Sequence, residues 1–418
     1  MHVLVLSTGN PILELALTAA GHTVTQLIPT SGAARNTHAF TGNAFTTAHW
    51  DDLDALDELE PHLPPIDAVT TIDEQCIVAA AYLRQLRKLP GLTLDAAHAY
   101  TDKALMKDRL AAHGLPVAGH RVVEHADQIP GAAAELGWPV LVKPRGGLGS
   151  VNTFVIRDEK HLALLKNDGA FDSRAKDSTG RFTAGHALDS LHESVNGFLV
   201  EQYLDLAGES FCDLYLHDGK LLLAVPGRYD HPLLQTVGSS SHDTVLPPDH
   251  PDAPPIIALA HRAATALGAQ TGVVHCELLT TTDGKTYIGE AAARPGGGCI
   301  TELAARMYSF DLASVLADLA VNHVPRLNSE HRYAALTAVM VTAPPGIVAS
   351  VALKADIEKR HGVLDADIRL TPGQPVPASV GTLTLAGRVL YVPDDLAQLD
   401  REVRELREAL AIRVTATA

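Results

Sequence analysis

The segment Gly272–Gly298 reads GVVHCELLTTTDGKTYIGEAAARPGGG and carries a complete hairpin pattern. Two runs of strand character, Val273 to Thr281 and Lys285 to Ala291, flank Asp283-Gly284, a pair that signals a two-residue type I′ turn. With those two residues at the turn centre, Thr282 pairs with Lys285, and counting back sets Glu277 opposite Glu290 and His275 opposite Ala292. Side chains alternate faces along a strand, so His275, Glu277, Glu290, Ala292 and Arg294 converge on one patch. Carboxylates facing each other across strands repel and call for a compensating cation or a raised pKa. A hard divalent ion with oxygen ligands meets that need, and Mg²⁺ held by two carboxylates plus substrate phosphates fits it. The alternative is a solvated hairpin face with two unrelated acids.

The composition narrows the function classes. With 418 residues, 46% hydrophobic and 20% charged, the chain can bury a sizeable core and is long enough for two to four domains. A net charge of −16 and the lack of a basic run argue against a nucleic-acid surface. Cys76, Cys212, Cys276 and Cys299 are widely spaced and form no metal-ligand pattern, as expected of reduced thiols. The N-terminus MHVLVLSTG lacks the pattern of a signal peptide, and no 18-residue apolar run follows, so a cytoplasmic protein that does not engage a membrane is expected.

Taken in order, His2–Leu6 reads as a buried strand. A helix Pro11–Ala20 follows, with Asn10 at the N-cap and Gly21 as its stop, and then the strand His22–Ile28. The strand Ala68–Ile72 and a helix from about Glu74 to Leu86 complete a doubly wound region ending near Leu94. Its first turn, STGN, is not G-x-G-x-x-G, so structural support or substrate contact is expected there rather than dinucleotide binding. Asp102–His113 reads as a helix capped by Asp102 and stopped by Gly114, and Ala126–Leu136 as another. The strand Pro139–Val142 then runs into KPRGGLGSVN, where Lys143 stands beside Gly146, Gly147, Gly149 and Ser150. Glycines admit positive φ and close backbone approach, so amides here can form an anion nest for phosphates with Lys143 as point charge; an ordinary hairpin turn is the alternative. Asn152 is a second position tolerant of left-handed backbone. Residues 167–196 are polar and aperiodic, either a lid or a surface insertion. In GFLVEQYLDLAGES, extended backbone at Glu201, Tyr203 and Leu204 can meet an adenine edge, and Glu209 can accept from ribose hydroxyls.

Together these motifs resemble the ATP-grasp superfamily of carboxylate–amine ligases, by motif from about Leu94 to Asp318 and by layout over most of the chain. The resemblance assigns ATP binding to Lys103 in TDKALMKDRL, Lys143 in VLVKP, the loop Gly146–Ser150, and Glu201 and Glu209, with the metal on Glu277 and Glu290. The strand H-x-E with E-x-x-x-R-P-G-G-G, and the tail from APPGIV onward, are most similar to the L-amino acid ligase branch, which joins amino acids through an acyl-phosphate. The implied fold is α/β, with α+β grasp lobes. It comprises a doubly wound N-terminal domain (1–95), a central domain with the first lobe (96–198), and a second lobe with the metal hairpin and a small C-terminal subdomain (199–418). ATP and Mg²⁺, with Mn²⁺ as an alternative metal, are the implied cofactors. Small-molecule carboxylate and amine substrates are the implied partners, and a homodimer is left open. One departure stands out: where many members carry E-x-N-x-R, this chain has Ala292. That leaves the number of metal ions open, and His275, opposite, either fills the gap and orients a phosphate oxygen or serves as a structural histidine. Arg294 is the expected transition-state contact. The amine and the acceptor's carboxylate are expected near Gly296–Gly298, where no pattern singles out side chains. The remaining alternatives are an ATP-grasp ligase acting on another carboxylate, of purine-pathway or carboxylase type, and an ATP-binding protein with impaired catalysis.

Overall fold

Parallel strands need crossovers, and the first hundred residues supply them. Strands β1 (His2–Leu6), β2 (Thr23–Pro29), β3 (Asn43–Thr47) and β4 (Ala68–Thr70) form a parallel sheet in the order β3-β2-β1-β4. The computed structural model describes residues 1–9, 11–30, 42–47, 49–50, 52–147, 149–150, 152–171, 197–236, 239–376, 386–410 and 412–415. The first helix spans Ile12–Ala19 with Pro11 at its N-cap and no capping side chain; Asn10, the expected cap, lies outside the described residues, as do 172–196 of the expected lid. Glu74–Leu86 resolves into a 3₁₀ turn, Glu74–Cys76, and a helix Ile77–Arg87. The chain crosses from one side of β1 to the other at the carboxyl ends of β1 and β4, which places Thr8 and Asp73 at the topological switch point.

Next comes a second sheet, β5 (His120–Val123), β6 (Val140–Pro144), β7 (Phe154–Ile156) and β8 (Phe198–Gln202), ordered β5-β8-β6-β7 and wholly antiparallel. The helix Lys103–Ala112 precedes it. Asp102 caps that helix by accepting from the amides of Ala104 and Leu105, as its sequence position predicts.

The largest sheet has eight strands. β9 (Leu206–His217), β10 (Lys220–Tyr229), β11 (Ser241–Val245), β12 (Gly272–Thr281), β13 (Thr286–Ala292), β14 (Leu336–Val341), β16 (Val363–Ile368) and β18 (Gly387–Tyr391) run in the order β13-β12-β9-β10-β11-β14-β18-β16. β15 (Gly346–Ser350), β17 (Pro375–Val376) and β19 (Arg413–Thr415) form a separate small sheet. Leu399, Val403, Leu406 and Leu410, at helical spacing, pack the last helix onto Val339, Val389 and Tyr391. The tail therefore extends the large sheet. A shared core joins Val3, Val5, Leu13 and Leu17 of the N-terminal region to Phe211, Tyr215 and the helices Ile300–Tyr308 and Leu312–Ala320.

The hairpin tip differs from expectation. Gly284 N donates to Thr281 O (2.9 Å) and Thr281 N to Lys285 O (2.9 Å), with Gly284 at φ +83°. This is a three-residue loop, a type I turn closed by a left-handed glycine, in place of the two-residue type I′ turn. Alone, it would shift the pairing by one. A bulge at Gly289 adds one residue to β13 and shifts it back, so Glu277 faces Glu290 and His275 faces Ala292 as the count requires.

Gly227 fixes the inner face of this sheet. A Cβ there would lie 2.2 Å from Phe211 Cζ and 2.6 Å from Thr244 O, and Phe211 is packed between Tyr229 and His275 at ring distances of 5.0 and 6.2 Å. Neither neighbour can yield. Gly227→Ala is expected to lower stability by about 3 kcal/mol, at the upper end of ordinary overpacking. An unchanged urea midpoint would show that Phe211 is free to move.

Candidate active site

On β9 to β12 the pairing puts Glu209, Phe211 and Asp213 on the same face as Leu279, Glu277 and His275, their respective partners. Beyond β12, Glu290 and Ala292 of β13 continue that face. Below it the chain encloses a cavity of about 750 Å³. All the sequence-derived candidates line it: Lys103, Lys143, Gly146, Gly147, Gly149, Ser150, Glu201, Tyr203, Leu204, Glu209, His275, Glu277, Glu290 and Arg294.

The cationic side is built on two elements. Lys103, at the first turn of its helix, reaches Glu290 Oε1 (3.1 Å) and donates to Gly147 O (2.5 Å), linking the Gly-rich loop to β13. Arg145 pairs with Asp102, and Lys103 N donates to Arg145 O (3.0 Å), which ties the start of that loop to the helix cap. In the loop, Gly147 (φ +125°), Gly149 (+67°) and Ser150 (+59°) have positive φ, and Asn152 (+54°) forms the second left-handed bend expected of it.

Lys107 was not singled out from the sequence. One helical turn beyond Lys103, it is buried; its Nζ lies 2.7 Å from Glu201 Oε1 and donates to Gly289 O (3.3 Å), the residue of the bulge. Glu201 Oε2 lies 2.8 Å from Lys143 Nζ. Glu201 is thus enclosed between two lysines. Burial alone would raise its pKa, but the attraction of Lys107 and Lys143 overrides burial and holds it at about 2. Lys107 responds in the other direction, pushed down by its own burial despite Glu201, whereas Lys143 is held up by Glu201 and Glu290. Spacing i, i+4 from Lys103 is the signal that would have found Lys107.

The acidic pair is compensated within the protein. Lys103 and Lys143 hold Glu290 below the usual carboxylate range against the effect of burial. His275 Nε2 lies 3.5 Å from Glu277 Oε1, and His275 Nδ1 lies 2.7 Å from Asp213 Oδ1. Burial disfavours the imidazolium, yet Asp213 and Glu277 push its pKa up to about 9, so His275 carries charge near neutrality. Charge balance therefore does not of itself require an ion between Glu277 and Glu290. The structure places Glu209 beside this group: burial, then Glu277, raise it to about 8, and it accepts from Leu233 N (2.8 Å).

Asp213 also accepts from Gly296 N (3.0 Å), so one fully buried carboxylate orients both His275 and the glycine turn after Arg294. The pairing of β9 with β12, which makes this contact, leaves no local trace in the sequence. Arg294 Nε reaches Glu74 Oε2 (2.5 Å) and Nη1 donates to Pro295 O (2.9 Å), tying it to the N-terminal region. The four cysteines are buried and unpaired with one another. Among the described residues, no cluster of three or more His, Cys, Asp or Glu is arranged to hold a metal by itself, and no helix is long and apolar enough to cross a membrane.

No family model matches the chain. It is 25% identical over 312 residues to the L-arginine-specific L-amino acid ligase of Bacillus subtilis, covering 75% of this chain and 71% of that one. Among solved structures, the L-amino acid ligase of Bacillus licheniformis superposes with TM-score 0.72 at 18% identity, covering 99% of this chain and 98% of the other. The biotin carboxylase domain of the 2-oxoglutarate carboxylase of Hydrogenobacter thermophilus, in complex with MgADP, ADP and bicarbonate, superposes with TM-score 0.65 at 13% identity, covering 99% and 90%. With the motifs in order and the fold shared end to end, this chain has the ATP-grasp fold, and its similarity to named ligases supports an ATP-grasp carboxylate–amine ligase.

Proposed function

We propose that the protein joins two amino acids by an amide bond, using ATP and forming an acyl-phosphate on the way. The observation that carries this reading is the meeting, on one cavity, of a cationic cradle (Lys103, Lys143, Gly146, Gly147, Gly149 and Ser150) with the facing acids Glu277 and Glu290 and with Arg294. The name of the Bacillus subtilis relative supports the choice of amino acids as substrates.

Lys143 and the loop amides bind the triphosphate, and Lys103 holds the loop against β13. Glu277 and Glu290 present hard oxygen donors to the cavity and would hold Mg²⁺, which when bound would neutralise negative charge on the phosphates. A carboxylate oxygen of the first substrate attacks the γ-phosphorus and ADP leaves. The amine of the second substrate, having shed its extra proton, attacks the acyl carbon; the C–N bond forms and phosphate leaves. Arg294 faces charge on the transferring group, and His275, fixed by Asp213, contributes a second positive charge beside Glu277. Enclosure matters because water would hydrolyse the acyl-phosphate.

Incubation with ATP, Mg²⁺ and an amino-acid mixture, read by mass spectrometry, is expected to give a product equal to two amino acids less water, with ADP and phosphate formed only when both partners are present. ADP formation that ignores the amine, or that responds to bicarbonate instead, would overturn the dipeptide reading.

A further inference from the structure

Among the described residues, Asp243 is a buried acid on the inner face of the large sheet with an unsatisfied oxygen. It lies on β11 opposite Tyr229 of β10, is 3% exposed and lines the active-site cavity. Its Oδ1 is enclosed and has no hydrogen-bond partner among the described residues. A buried acceptor left unsatisfied is costly, and more so when charged, so a compensating ligand fits here.

Its surroundings indicate which kind. A Cβ added to Gly298 would sit 3.7 Å from Asp243 Oδ2 and 3.7 Å from Met340 Sδ, so the turn that begins at Arg294 ends against this carboxylate. At Gly296 the same turn is held by Asp213, beside His275. Arg369, an exposed guanidinium whose Nε donates to Asp367 Oδ2 (3.0 Å), lines the same cavity, and both Asp243 and Arg369 act electrostatically on the Cys299 thiol. A buried carboxylate and a guanidinium thus flank the glycine turn, away from Lys103 and Lys143. An amino acid carries the complementary charges, an ammonium and a carboxylate.

We propose that Asp243 binds the ammonium group of the amine substrate before its attack, with Arg369 facing that substrate's carboxylate. The proposal rests on the ligase reading above. It supplies the polar contacts that a zwitterionic substrate needs beside Gly296–Gly298. Burial, with Asp230 adding to it, raises Asp243 to about 8, and an arriving ammonium returns it to the charged form.

The test separates the two halves of the reaction. Hydroxylamine replaces the amine substrate and traps the acyl-phosphate as a hydroxamate, reporting the first half alone; amide formation reports both. In Asp243→Asn, hydroxamate formation at saturating hydroxylamine is expected to stay within about 2-fold of wild type, while KM for the amino-acid amine rises by about 10²-fold, the scale of a lost charge-assisted contact. The thermal midpoint should hold or rise, since an unsatisfied buried acid is removed. An unchanged KM for the amine overturns the proposal. So does an equal loss of hydroxamate formation, which would place Asp243 in the carboxylate half. Wild-type enzyme that yields no hydroxamate with any amino acid sinks the ligase reading itself, and this proposal with it.

Discussion

Arg294→Lys is expected to lower kcat and kcat/KM together by about 10²-fold or more while leaving the ATP dissociation constant nearly unchanged. The structure sharpens the reason. Arginine can engage Glu74 through Nε and still present its planar fork to the cavity; a lysine ammonium is one point charge that Glu74 competes for. Charge is conserved and geometry is lost. Burial disfavours the Arg294 cation, but Glu74, Glu277 and Glu290 more than restore it, so the substitution should not empty the site of positive charge. Were the Glu74 contact a solvated surface pair, the change would be worth about 0–1 kcal/mol and kinetically silent. Steady-state kinetics with ATP binding measured by calorimetry decides, and an unaltered kcat removes Arg294 from the chemistry.

The largest loss of stability is expected at Glu201. Glu201→Gln leaves Lys107 and Lys143 facing each other in a buried space without their shared counter-charge, a situation that typically costs about 3–5 kcal/mol. The ionisation of wild-type Glu201 gives a figure of the same size. Its folded pKa of about 2 lies below the ordinary value of 4.5, so its contribution is fully present above 4.5 and is lost as the pH falls toward 2; at about 1.4 kcal/mol per unit, the shift corresponds to roughly 3 kcal/mol. Denaturation midpoints measured from pH 7 to pH 3 should therefore fall for wild type and fall less for Glu201→Gln. Parallel curves would show that Glu201 is not held ionised by the lysines.

What the sequence disclosed and what it hid follow from the range of the interactions. Lys103, Lys143, the glycine loop and the acid pair were legible because each sits within a local pattern: a helix cap, a strand end, a positive-φ turn or a two-residue alternation. Asp213 and Glu74 were not, because their partners are 62 and 220 residues away and only sheet order and the seam between regions bring them together. Lys107 was overlooked for another reason. It lies on the read helix, but its burial depends on β8 and β13 closing over it. The tail from APPGIV onward was read as a small C-terminal subdomain, and that its strands β18 and β16 follow β14 in the main sheet was not legible, since edge pairing between distant segments has no signature within either strand.

The two irregularities in the β12–β13 hairpin give it a parity. Each extra residue turns every later side chain of β13 to the opposite face, and a second one turns them back. Gly284 and Gly289 are therefore one unit, although four residues separate them: with only one of the two in place, Glu290 would point away from Glu277 and Lys103 would lose its partner. The admissible forms of this hairpin are two, a short tip with an unbroken strand or a long tip with a bulge, and nothing in between keeps both acids in the cavity. This chain has taken the second form, and the bulge has acquired a task of its own, its carbonyl accepting from the buried Lys107.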